Sequence, residues 1–156
     1  MHLLKAIEKA TIKNPSLRNK LQLILVGNAE HKDIHCAIDY ISIGYCNDAA
    51  TLKQYYQAAD IFCLPSFEDN LPNTVMEALA CGTCVLAYDV GGVSDMVLHE
   101  YNGYLSKYKN MDDLADGIVY LSEVDRTPLN ENARQKVLDT FSNDVVVRRL
   151  INLYQQ

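Results

Sequence analysis

The chain has 156 residues, 49% of them hydrophobic, and a net charge of −6, which suits one domain with a real core. Acids and bases are interspersed, so no basic nucleic-acid face is read; no stretch reaches the length of a membrane span, and Met1–Ala10 is amphipathic without a leader's cleavage site. Five cysteines, at 36, 46, 63, 81 and 84, are odd in number and make no framework, which favours a reducing cytosol over secretion.

In chain order, Leu3, Leu4, Ile7 and Ala10 recur at helical spacing and predict an amphipathic helix over 2–13, broken by Asn14-Pro15-Ser16. Leu21–Val26 is a short continuous apolar run closed by Gly27-Asn28, the pattern of a buried parallel strand. Ile38–Ile43 predicts a weaker strand ending at Gly44, and 48–58 a helix with Asp48 as its N-cap. Asp60–Leu64 is the next strand, Pro72–Ala80 a helix with proline at its favoured first position, and Thr83–Tyr88 a strand closed by Asp89-Val90-Gly91-Gly92. A short strand at Gly103–Leu105 precedes helices over 111–122, 129–139 and 142–154, with Thr127-Pro128 separating the first two. Strands alternating with helices predict an α/β fold, a Rossmann-like doubly wound parallel sheet over 1–156 with C-terminal helices over 129–156. Ligands of such sheets bind beyond the strands' carboxyl ends, where the loops at 27–30, 44–47, 65–71 and 89–92 fall.

The most informative segment runs from Leu64 to Thr83 and contains the loop at 65–71. A strand delivers the polar residues Glu68-Asp69-Asn70 onto a helix start, where free backbone N–H groups and the positive end of the helix dipole make an anion site. Two carboxylates, Asp69 and Glu77, lie eight positions apart around it. Phosphate and hydroxyl recognition together point to a sugar nucleotide.

Pro65-Ser66, Asp69, Glu77-Ala78, Gly82 and Val85 resemble the donor-site motif of retaining GT-B glycosyltransferases (group 1, the bacterial polysaccharide type). The resemblance continues through Asp89-Val90-Gly91-Gly92-Val93 and Asn102-Gly103-Tyr104-Leu105, in order, from about Leu21 to Leu121. It implies the C-terminal half of a GT-B fold and a UDP- or GDP-sugar as substrate, with no cofactor and no metal. The matching glutamate of the family takes both ribose hydroxyls, a role that falls on Glu77; the alternative is a solvated helix glutamate. Asp69 matches the acid that touches the transferred sugar, where the family usually has Glu; the alternative is a loop acid in an Asx-turn. Asn70 and Leu71 lead into the helix, and since Pro72 cannot donate, Asn73 and Thr74 are the expected phosphate contacts. The loops of Gly27-Asn28 and Gly44-Tyr45 correspond to those that hold the base, glycine allowing close approach of backbone to ligand. Gly91-Gly92 is equally a structural turn or a ligand contact, and His2, His31, His35 and His99 receive no role. Cys81-Gly82-Thr83-Cys84 has redox-dithiol spacing but falls after a helix, where the dipole disfavours a thiolate; the family usually carries Pro where Cys84 stands.

The family's C-terminal half opens on a strand with a Gly-Arg pair, then Lys-Gly, whose two cations grip the diphosphate. Met1–Ala6 resembles the helix that follows that Lys, so the chain is expected to be truncated at its N-terminal strand. Losing one preorganised charge donor costs on the order of a hundredfold in rate, and the resemblance therefore implies no transfer by this chain alone. Its expected partners are the nucleotide sugar and an acceptor-binding N-terminal domain, or the separate chain that carries it. The expected location is the cytoplasm, at the inner membrane face through that domain. Two other readings stay open: a non-catalytic module completing a separately encoded half, and an epimerase of the same fold.

Overall fold

The structure is a computed structural model that describes residues 2–27 and 34–155. Helix α1 (His2–Lys13) leads through a 3-10 turn at Pro15–Asn19 into β1 (Gln22–Val26), followed by β2 (Asp39–Gly44), α2 (Ala49–Ala58) and β3 (Phe62–Leu64). Then come α3 (Asn73–Ala80), β4 (Val85–Tyr88), the single-turn α4 (Val93–Met96), β5 (Gly103–Ser106), α5 (Met111–Glu123), α6 (Thr127–Phe141) and α7 (Asn143–Tyr154). The single turn α4 is not foreseen in the sequence, being too short to leave a period. Helices α5 and α6 are separate as expected, but the break falls at 124–126 and Thr127-Pro128 opens α6, because a proline that lacks its N–H is harmless in a first turn.

All described strands run parallel within their sheets. β1 pairs with β2, and β4 lies between β3 and β5 with Leu86 opposite Cys63 on one side and Tyr104 on the other. β1 and β3 are not paired with each other.

β4 explains the two-layered core. Its residues alternate between faces. Leu86 and Tyr88 point into a cluster with Ala6, Ile7 and Ala10 of α1 and Leu114, Ala115 and Ile118 of α5. Val85 and Ala87 point into a second cluster with Val75, Ala78 and Leu79 of α3, Val93 and Met96 of α4, and Ala133 of α6. A strand covered on both faces must be apolar at every position, which is why Val85–Tyr88 reads as an unbroken run. Gly117 lets α5 lie close to the sheet: a Cβ there would stand 2.5 Å from Leu86 Cδ1 and 2.6 Å from Tyr104 Cδ1.

The buried side chain of Asn102 ties the approach to β5. Its Oδ1 accepts from Leu98 N at 2.7 Å and its Nδ2 donates to the Met96 carbonyl at 2.9 Å. Helix α7 packs on α6 and leaves Val147, Leu150, Ile151 and Tyr154 exposed. No helix among the described residues is long and apolar enough to cross a membrane.

Candidate functional site

The site is built around the start of α3. Val75, Ala78 and Leu79 recur at helical spacing and are fully buried, so they hold α3 against β4 and turn its polar face outward. The sequence predicts a helix opening on Pro72; the helix begins one residue later, and Pro72 stands at the N-cap with φ −67° and ψ 117°. Proline has no side-chain acceptor, and no side chain caps this helix. The N–H groups of Val75 and Met76 both return to the Pro72 carbonyl, at 3.1 and 3.3 Å. Those of Asn73 and Thr74 have no acceptor among the described residues. Two backbone donors at the positive end of the helix dipole are therefore available to an anion. Both residues are exposed.

Ahead of them, the loop of 65–72 is held by its backbone. The Gly92 N–H donates to the Asn70 carbonyl at 2.6 Å. Gly91 presses on the preceding peptide: a Cβ at Gly91 would fall 1.8 Å from the Asp69 carbonyl oxygen, and one at Gly92 2.2 Å from that of Asn70 and 3.1 Å from Leu71 Cδ1. Gly91, at φ +53°, also occupies the left-handed region. The glycine pair is thus the wedge that sets the loop carrying Asp69, Asn70 and Leu71. The Asp69 carboxylate is half-buried and makes no Asx-turn and no hydrogen bond to the described residues, while Glu68 beside it is exposed.

The two glycines at the ends of β1 and β2 meet: the Gly27 N–H donates to the Gly44 carbonyl at 2.8 Å. Both have positive φ, and no atom of the described residues lies within 4 Å of where their side chains would begin, so among those residues the backbone is open to approach there. Tyr45, next in line, is 69% exposed. Asn28 and His31 lie outside the described residues.

Glu77 is exposed in the second turn of α3, and it is not simply solvated. Its Oε2 accepts a 2.9 Å hydrogen bond from the Tyr56 hydroxyl of α2. Burial foremost, then Glu77 as acceptor and as charge, push the Tyr56 phenol far above its ordinary range, so it keeps its proton and donates. Sequence reading missed Tyr56 because two tyrosines in a helix carry no period that marks one of them.

The sequence also gave no sign of an aromatic group beside the loop. The His2 ring meets Phe67 edge-on at 4.5 Å, and His2 Nδ1 is 3.1 Å from the Tyr88 hydroxyl. Phe67 meets Tyr108 at 6.4 Å, and the Lys109 ammonium stands over both rings, at 5.1 and 4.7 Å.

The cysteine pair shows no activation. Burial raises the Cys81 thiol above its ordinary value and pushes that of Cys84 up to about 11. Cys63, within the sheet, is pushed up to about 12 by the same cause.

Comparison with known proteins adds a lineage. The family model described as "Glycosyl transferases group 1" matches residues 1–136. N,N'-diacetylbacillosaminyl-diphospho-undecaprenol alpha-1,3-N-acetylgalactosaminyltransferase of Campylobacter jejuni is 29% identical over 145 residues, covering 90% of this chain and 38% of that protein. The putative teichuronic acid biosynthesis glycosyltransferase TuaC of Bacillus subtilis is 33% identical over 103 residues, 66% of this chain and 26% of its own. The chain therefore spans well under half the length of these relatives. Among solved structures, S. aureus TarM superimposes with a TM-score of 0.79 at 20% identity, over 99% of this chain and 32% of that one. Anabaena HepE, solved in complex with UDP, gives 0.76 at 21% identity, over 97% of this chain and 44% of that one.

Proposed function

The chain belongs to the group 1 glycosyl transferases, and from that premise we propose that residues 1–156 are the donor-binding domain of a retaining enzyme of surface polysaccharide assembly. The substrate is a UDP- or GDP-sugar. The observation that carries this reading is the start of α3, where the N–H groups of Asn73 and Thr74 are without acceptors, Asp69 stands ahead of them and Glu77 one turn behind.

In this reading the diphosphate lies against the Asn73 and Thr74 amides, with Asn70 and Leu71 forming the loop wall. The Glu77 carboxylate accepts from the two ribose hydroxyls: a diol offers two donors and a carboxylate has acceptor sites for both. Asp69 accepts from hydroxyls of the sugar to be transferred. The base lies by Gly27, Asn28, Gly44 and Tyr45, where glycine leaves the backbone open. The departing nucleoside diphosphate gathers negative charge as its bond to the sugar breaks. Donors aimed at that charge lower the barrier to its departure. The chain is a transferase by lineage, and by itself it captures donor without transferring sugar.

Titration calorimetry of the folded chain with UDP, GDP and ADP tests this. One nucleotide binds, and Glu77→Ala weakens it about tenfold or more, the scale of losing hydrogen bonds to a charged acceptor. Equal affinity in a folded Glu77→Ala chain refutes the assignment.

A second reading is favoured by the split between the β1–β2 and β3–β4–β5 sheets, with Ile24 and Val26 of β1 42% and 43% exposed despite a sequence suited to burial. Here the chain is a module that docks onto a separately encoded acceptor-binding half. Mixing the two halves then restores transfer that neither shows alone.

A further inference from the structure

We propose that Tyr56 is a positioning residue for the donor site: its hydroxyl holds the Glu77 carboxylate in the orientation that accepts a ribose diol, and so makes the site prefer ribonucleotides to 2′-deoxyribonucleotides. The inference rests on Glu77 being the ribose carboxylate.

A glutamate in an exposed helix turn turns freely about three side-chain bonds, and ordering it on a ligand costs part of the binding free energy. Tyr56 removes much of that freedom beforehand. The Tyr56 ring packs edge-on against Phe62 of β3 with centroids 5.5 Å apart, which fixes its direction. Its backbone is tied as well, because the Thr83 hydroxyl donates to the Tyr56 carbonyl at 2.6 Å. Thr83 follows the end of α3, so the donor of the bond is anchored to the strand and to the turn below the same helix that carries the acceptor. From this fixed point the hydroxyl reaches Glu77 Oε2 at 2.9 Å.

The bond leaves room for a ligand. An ionised carboxylate has about four acceptor sites. Tyr56 takes one on Oε2; Glu77 is exposed, and Oε1 and the remaining site on Oε2 have no partner among the described residues. A cis-diol needs two such sites, side by side in a fixed plane; a 2′-deoxyribose uses one and gains less from the plane being fixed.

A plain structural tie between α2 and α3 makes a different forecast, and the test separates the two. UDP and 2′-deoxy-UDP (or the GDP or ADP pair, whichever base binds) are titrated into wild-type, Tyr56→Phe, Glu77→Gln and the double variant, with thermal melts of each. Tyr56→Phe keeps the ring on Phe62 and removes the hydroxyl alone. The expected result is an affinity for the ribonucleotide weakened about threefold to tenfold, the scale of one hydrogen bond to a charged group. Affinity for the 2′-deoxy form changes much less, and the double variant is no weaker than Glu77→Gln. If Tyr56→Phe weakens both nucleotides equally, or neither, while Glu77→Gln weakens the ribonucleotide, Tyr56 is only a structural tie and the inference falls with the Glu77 assignment intact. If folded Glu77→Gln binds as wild-type does, or no nucleotide binds the folded chain, the Glu77 assignment fails and this inference goes with it.

Discussion

The Gly92 N–H donates to the Asn70 carbonyl at 2.6 Å, so the loop after β4 holds the loop after β3 by backbone alone. Gly91 adds contact without a bond, its Cα lying where a side chain would run into the Asp69 carbonyl. The backbone that carries Asp69 and Asn70 is thus held by a neighbouring strand's turn.

Gly91→Ala is expected to damage the site more than Gly44→Ala. At Gly91 the new methyl meets the Asp69 carbonyl oxygen at 1.8 Å and φ is +53°, so both a clash and left-handed strain arise. At Gly44 φ is +78° but no atom of the described residues lies within 4 Å, so only strain of about 1–2 kcal/mol is expected. Thermal melts and nucleotide titrations of the two variants check this. Gly91→Ala loses nucleotide affinity beyond what its melting point explains; equal losses in both variants would sink the wedge role.

Much of the architecture can be read from the sequence because it is local. Asp48 caps α2 through Thr51 N at 2.8 Å, as its position before a helical pattern predicts, and β4 is buried on both faces as its unbroken apolar run requires. The helix after the loop is legible too, although it starts at Asn73 and not at Pro72, which takes the N-cap and offers no side-chain acceptor there. What the sequence hides is non-local. Tyr56 and Glu77 are 21 positions apart, and Lys109 reaches Phe67 across the carboxyl ends of two strands; no spacing records either. Asn102 looks like a family landmark with no stated purpose, and its burial between Leu98 and Met96 shows a purely structural one.

Core and periphery should separate sharply under denaturant. Leu86 is 1% exposed in the α1–α5 layer, so Leu86→Ala leaves a cavity and costs about 2–5 kcal/mol. Leu150 is 48% exposed on α7, and Leu150→Gln should stay within about 0.5 kcal/mol. Urea unfolding of both variants checks the contrast. A comparable loss at Leu150 would mean that α7 is covered in solution.

Alkaline pH gives the remaining prediction, and its sign follows from the buried thiols. In the unfolded chain each thiol ionises near its ordinary value of 9.0; in the folded chain burial pushes Cys84 to about 11 and Cys63 to about 12. Between those limits the folded state holds protons that the unfolded state has released, so stability falls as pH rises. The contribution is fully present below about pH 9, declines above it, and is lost once pH has passed the folded-state values. Tyr104, raised to about 12 by burial and by Asp113, adds to the fall above its own ordinary value of 10.0. The urea midpoint should therefore be lower at about pH 10 than at about pH 8, and Cys84→Ala should shrink the difference. Iodoacetamide should leave Cys84 unmodified in the folded chain at about pH 8, where its fully buried thiol is protonated and shielded. A midpoint that rises over that interval, or rapid alkylation of Cys84 without unfolding, would show that the thiols are not held as this packing implies.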